Sequence, residues 1–174
     1  MLPLILSVAS HLSQTTQKEM EIKIKKLTEN AVIPFKAHPT DAGFDLTATS
    51  CTMDEYGSIV YGTGIAVEIP EGYVGLVFPR SSICKKELIL TNCTGVIDSG
   101  YRGEIKAKFK PINSFQYHND FGLIVKSINK ENWYRIGERI AQLIIMPIPK
   151  IEFVEADELS DSDRGEGCFG SSGK

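Results

Sequence analysis

From residue 20 onward, apolar positions recur with a period of two rather than 3.6. Ile22 and Ile24 stand against Lys23 and Lys25. In residues 104–110, Ile105, Ala107 and Phe109 alternate with Lys106, Lys108 and Lys110. This is the alternation of half-buried strands, with the lysines on a solvated face. Residues 64–69, 73–78, 139–146 and 151–154 are β-branched or aromatic runs set apart by Gly, Pro and Asn, which predicts further strands. The run Ile140-Ala141-Gln142-Leu143-Ile144-Ile145-Met146 is apolar on both faces except at Gln142, as in a strand covered on both sides. Gln142 then needs a polar partner, and a ligand is one candidate. No long 3.6-period segment is present, so helix is expected to be scarce. Many short strands with punctuated turns point to a jelly roll or a barrel.

Within this pattern, Gly95-Val96-Ile97-Asp98-Ser99-Gly100-Tyr101-Arg102-Gly103-Glu104 stands out. Two apolar residues run into Asp98, and Ser99-Gly100 offers a tight turn before Tyr101, the residue order of a β-hairpin. An acid, an aromatic ring and loop amides would share one concave surface. An isolated Asp-Ser-Gly usually does no more than bond its own turn. Other stretches of the chain change that balance.

Asp45, in Ala42-Gly43-Phe44-Asp45-Leu46, sits between two apolar strand positions, where an unpaired carboxylate would be costly. It requires a cation, a hydrated metal or hydrogen-bond donors. Pro79-Arg80-Ser81-Ser82 ends a predicted strand with a guanidinium fork, two hydroxyls and loop amides, all donors suited to phosphate oxygens. The tail from Arg164 contains Gly165, Gly167 and Gly170 in Gly-x-Gly-x-x-Gly spacing, yet no strand precedes it and no helix follows, which excludes a Rossmann turn. The spacing back from Gly173-Lys174 puts Cys168 where a Walker loop needs glycine. Simple disorder would not require Arg164, Phe169, Ser171 and Ser172 between the glycines, whereas an arm closing over a base and its phosphates would.

The chain's 174 residues suit one domain. A net charge of -3 with mixed signs gives no basic surface for a nucleic-acid backbone, so stable nucleic-acid binding is not expected. Cys51, Cys84, Cys93 and Cys168 include no Cys-x-x-Cys pair and no nearby His, which supports neither a zinc site nor a disulfide framework. Thiols of a reducing compartment are expected. The apolar run in residues 1–10 has no Lys or Arg before it and is too short to span a bilayer, so neither export nor membrane insertion is expected.

Taken in order, residues 42–46, 79–82, 95–103, 137–143 and 164–173 resemble the five motifs of the trimeric dUTP diphosphatases (dUTPases), and the resemblance covers residues 27–174. It implies an all-β, jelly-roll or β-clip-like dUTPase fold with little helix and a flexible glycine-rich C-terminal arm. The implied organisation is a disordered extension over residues 1–19, a β domain over 20–160 and an arm over 161–174 that closes on the active site. It also implies a homotrimer with active sites shared between subunits, dUTP as substrate, Mg2+ as cofactor and a cytoplasmic location, or a nuclear or organellar one in a eukaryote.

The resemblance gives Asp98 the role of activating the water that attacks the α-phosphorus, yielding dUMP and diphosphate. Tyr101 matches the ring beneath the deoxyribose, which leaves no room for a 2′-hydroxyl. Asn92 and the main chain of Gly95, Val96 and Ile97 match the uracil-reading groups. Arg80, Ser81, Ser82 and Gln142 match phosphate ligands, and Asp45 the acid that supports the water shell of a magnesium held directly by the triphosphate. Arg164 and Phe169 match arm residues over the nucleotide, with Gly170, Ser171 and Ser172 near the terminal phosphates. Cys168 stands where glycine is usual. Arg139 lies in the fourth motif but on an inward-alternating strand, and is left outside the catalytic set. The alternatives on this scaffold are a dCTP deaminase and a catalytically silent nucleotide sensor. The former usually has Trp where Tyr101 stands and lacks the C-terminal motif. Asp98 together with a complete arm argues against the latter.

Overall fold

The computed structural model describes residues 20–112 and 131–168, together with the backbone of the strands at 114–118 and 124–128. The expected extension over residues 1–19 and the arm residues Phe169, Gly170, Ser171 and Ser172 lie outside the described residues. The strands run in the order β1 Lys23–Lys26, β2 Phe44–Thr47, β3 Ser50–Met53, β4 Ile59–Gly62, β5 Ile65–Glu68, β6 Tyr73–Pro79, β7 Leu88–Leu90, β8 Gly95–Ile97, β9 Lys106–Pro111, β10 Ser114–His118, β11 Ile124–Ile128 and β12 Arg139–Pro147. The one helical element among the described residues is a 3-10 turn, Ser81–Lys85.

Two antiparallel four-stranded sheets, ordered β2-β12-β6-β8 and β3-β4-β9-β7, carry the core, and β1-β5 and β10-β11 form two-stranded sheets. Strands distant in sequence lie side by side, β12 between β2 and β6, and β9 between β4 and β7. These are the crossovers of an all-β jelly roll. A single apolar cluster draws on both sheets, with Leu46, Val77, Ile140, Ala141 and Leu143 from one and Ile59, Tyr61, Leu90, Ala107 and Phe109 from the other. The alternation read in residues 104–110 is realised in β9, where Ala107 and Phe109 are buried while Lys106, Lys108 and Lys110 face out. No helix among the described residues is long and apolar enough to cross a membrane.

Two expectations need correction. The 95–104 stretch is not a hairpin with mutually paired arms: β8 pairs with β6, whereas β9 pairs with β4 and β7. The turn itself closes, with the Tyr101 N–H donating to the Asp98 carbonyl at 3.0 Å. The flanking strands nevertheless find better-placed neighbours in different sheets, so Asp98 and Tyr101 lie on a link between the two layers. The 151–154 run is not a strand either. Ladder formation needs a neighbouring strand, and within the chain Phe153 stands 97% exposed.

Phe109 is fully buried and meets the rings of Tyr61 and Tyr134 at centroid distances of 5.8 and 5.6 Å. Phe109→Ala should cost about 3–5 kcal/mol through lost burial and a residual cavity. Tyr56, 72% exposed, should tolerate alanine within about 0.5 kcal/mol. Urea unfolding at one protein concentration measures both.

Candidate functional site

The described site residues other than Arg164 fall into two clusters. The first surrounds a cavity of about 280 Å³ lined by Asn92, Gly95, Val96, Ile97, Asp98 and Tyr101, together with Val77, Glu104 and Lys106. β8 delivers Asp98 from its C-terminal end. Asn92 comes from a tight turn in which Cys93 adopts φ 58° and its N–H donates to the Leu90 carbonyl at 3.1 Å. An acid, an amide, an aromatic ring and main-chain groups thus face one space. That set can read a flat polar heterocycle and present a proton acceptor to a nearby water.

The second cluster gathers at the C-terminal end of β6. Asp45 on β2 is 8% exposed, and its two carboxylate oxygens are taken by different guanidinium groups. Arg80 Nε donates to Oδ1 at 2.7 Å and Arg139 Nη1 to Oδ2 at 2.8 Å. Register explains the meeting: β12 lies between β2 and β6, with Gln142 opposite both Asp45 and Phe78. Gln142 Nε2 donates to the Pro79 carbonyl at 3.1 Å, and a Cβ at Gly43 would come within 2.6 Å of Gln142 Oε1. Arg80 then leads in extended conformation into the 3-10 turn that begins with Ser81 and Ser82.

The far end of that turn is also tied down. Lys86 reaches Glu138 Oε2 at 3.0 Å and lies 4.8 Å from the centre of the Tyr134 ring. Burial pushes the Glu138 carboxyl up, but the Arg135 N–H and Lys86 together outweigh it and hold the group below its ordinary value. A lowered folded-state value means that this contribution is present above the unfolded carboxylate range and is lost as pH falls through the folded one.

No group of three or more His, Cys, Asp or Glu among the described residues is arranged to chelate a metal. The donor set therefore fits a metal only indirectly: Asp45 retains lone pairs for a water molecule after both arginines have bound.

A family model described as dUTPase matches residues 29–173. The chain belongs to the dUTPase family. It is 38% identical over 157 residues to the deoxyuridine 5′-triphosphate nucleotidohydrolase of a Hydrogenobaculum species, covering 88% of this chain and 99% of that one. It is 40% identical over 155 residues to the Corynebacterium glutamicum protein of the same name, covering 88% and 95%. The dUTPase of Staphylococcus bacteriophage 80alpha, solved with dUpNHpp, superposes with a TM-score of 0.72 at 36% identity, covering 88% of this chain and 99% of that one. A mutant dUTPase of phage phi11 of S. aureus, with a TM-score of 0.62 at 32% identity over 80% of this chain and 98% of that one, is described as coordinating a structural Mg(II) ion.

Set against the dUTPase motifs, the structure brings together Asn92, residues 95–98 and Tyr101 on one side, and Asp45, Arg80 and Gln142 on the other. Arg164 joins neither set of contacts and folds back on its own turn, its Nε donating to the Gly167 carbonyl at 2.8 Å. Arg139, left out of the candidate set, proves to be the second cation on Asp45. Glu104 and Lys106 also face the Asp98 cavity; no residue pattern marked either one, Glu104 merely closing the 95–104 stretch.

The Asp45 pairs are partly exposed on the arginine side, which lowers their net worth relative to fully buried pairs. Asp45→Ala should cost about 2 kcal/mol, because it leaves two guanidinium groups facing one another. Adding Arg139→Met to that variant should cost less than about 0.5 kcal/mol more, since its partner is already gone. A double-mutant cycle by urea unfolding measures the coupling.

Proposed function

We propose that this chain hydrolyses dUTP to dUMP and diphosphate, contributing to dUMP supply and to keeping uracil out of DNA. The observation that carries the proposal is the cavity in which Asp98, Tyr101 and Asn92 converge, in a chain whose curated relatives are named as deoxyuridine triphosphate nucleotidohydrolases. Asn92 and the main chain of residues 95–97 bind uracil, and Tyr101 lies beneath the sugar. Asp98 accepts a proton from water as its oxygen bonds to the α-phosphorus, and the bond from that phosphorus to the α,β-bridging oxygen breaks to release diphosphate. Arg80, Ser81, Ser82 and Gln142 hold phosphate oxygens. Mg2+, when bound by the triphosphate, neutralises charge that would repel the incoming oxygen. Asp45 would hold a water of that metal's shell, and it keeps Arg80 in place.

Register supports a site assembled from more than one copy of the chain. Ile97 pairs with Gly75, so Asp98 lies beyond the N-terminal half of β6, while Arg80 follows the strand's other end. Gly75 and Arg80 are five residue steps apart along extended chain, about 17 Å at 3.3–3.4 Å per residue. Asp45 further restrains the Arg80 guanidinium. A single nucleotide held by Asp98 and Arg80 of the same chain would have to bridge that separation. A homotrimer with shared sites, as in the family resemblance, removes the difficulty. In this reading residues 161–174 form the closing arm, with Arg164, Phe169, Gly170, Ser171 and Ser172 over the nucleotide, residues 20–160 form the β domain, and residues 1–19 are an extension.

Asp98→Asn keeps the side chain's shape and removes the base. With dUTP and Mg2+, diphosphate release should fall by about two to four decades while binding of a non-hydrolysable dUTP analogue stays within about threefold. Undiminished turnover would refute the assignment of Asp98, and ammonia released from dCTP by the unmodified protein would favour a deaminase.

A further inference from the structure

Tyr101 occupies a segment without ladder support, since residues 98–105 lie between β8 and β9. Its side chain is not locked by burial, the residue being 44% exposed. Its hydroxyl is fixed instead by donating to the main-chain carbonyl of Glu104 at 3.0 Å. The main chain at Tyr101 is held by its N–H bond to the Asp98 carbonyl and its ring lies over Gly103, but the hydroxyl depends on the Glu104 main chain.

Glu104 is plugged into the turn between β4 and β5. Its Oε1 accepts the N–H of Gly64 at 2.9 Å. Gly64 is buried and has φ +65°, a conformation that other residues adopt only with strain. A Cβ at Gly62 would lie 2.5 Å from the same Oε1, so glycine there leaves room for the carboxylate. The neighbouring residues reinforce the junction: Thr63 Oγ1 donates to the Ile105 carbonyl at 2.7 Å, and the Ile105 N–H donates to the Ile65 carbonyl at 2.9 Å. The second carboxylate oxygen lies 3.3 Å from Lys106, whose side chain is half exposed, and such a pair contributes little. A charge-assisted bond to a buried N–H is the stronger restraint.

We propose that Glu104 is a positioning residue whose carboxylate, seated on the Gly64 N–H, fixes the Tyr101 ring and thereby sets how strongly the site prefers 2′-deoxy over 2′-hydroxy nucleotides. The proposal rests on the reading of Tyr101 as the ring beneath the deoxyribose. Reach to Gly64, rather than charge beside Lys106, is what matters. Glutamine preserves the acceptor and its reach, aspartate preserves only the charge, and alanine preserves neither.

The test compares kcat/KM for dUTP and UTP in the full-length protein with Mg2+, alongside a thermal melt of each variant. Glu104→Gln should keep the dUTP preference within about threefold, whereas Glu104→Asp and Glu104→Ala should each lose about tenfold or more, mainly by admitting UTP. In a Tyr101→Phe background, which lacks the hydroxyl, Glu104→Ala should change the preference less than about threefold further. If Glu104→Ala does not fold, Glu104→Asp carries the comparison. An unchanged preference in the aspartate and alanine variants, with only the melting temperature lowered, would reduce Glu104 to a structural role and overturn the proposal. Aspartate outperforming glutamine would overturn it in favour of the Lys106 pair. A wild-type protein that releases no diphosphate from dUTP would refute the underlying functional reading itself, and the positioning role with it.

Discussion

The carboxylate of Asp45 has to be neutralised, and much of the arrangement at the C-terminal end of β6 follows from how this is done. It is nearly enclosed, and it meets its requirement with two guanidinium groups, Arg80 at the exit of β6 and Arg139 at the start of β12. Three strands are thereby tied at one end of one sheet. Partial enclosure makes the ions costly to desolvate, so the arrangement contributes modestly to net stability while strongly penalising any packing that separates the partners. Its value is positional: a free Arg80 could sample many rotamers, whereas a paired one presents its remaining N–H groups in a fixed direction.

The same sheet imposes the opposite constraint on Asp98. β6 carries Arg80 at one end and receives β8 along its other half, so the strand acts as a spacer between the Asp45–Arg80 cluster and the Asp98 loop. In the proposed shared site, each copy of the chain would contribute two half-sites to different nucleotides. Catalysis in this account depends on oligomer geometry as much as on any side chain, and a variant that loosens subunit packing would lose activity with both half-sites intact.

Periodicity made β9 legible, because the alternation of Ile105, Ala107 and Phe109 with three lysines reports both the strand and its buried face. The need of Asp45 for a cation was legible for the same kind of reason, an acid between apolar strand positions. Which cations answer it was not, since Arg80 and Arg139 lie far away in sequence and meet only through the β2-β12-β6 order. The turn at Asp98 was read correctly, but turn chemistry does not report which sheet edge will capture each flank, so a link between layers looked like a hairpin. Residues 151–154 have strand composition without a strand because composition cannot supply a ladder partner.

Mixing two inactive proteins tests the shared site most directly. Asp98→Asn and Arg80→Gln chains, unfolded and refolded together at equal concentration, would place an intact Asp98 and an intact Arg80 from different chains at about a quarter of the sites, since each condition is met half the time. The account predicts that dUTP hydrolysis returns to about that fraction of the wild-type rate. Hydrolysis that stays at the level of the separate variants, in oligomers shown by mass to contain both chains, would contradict it.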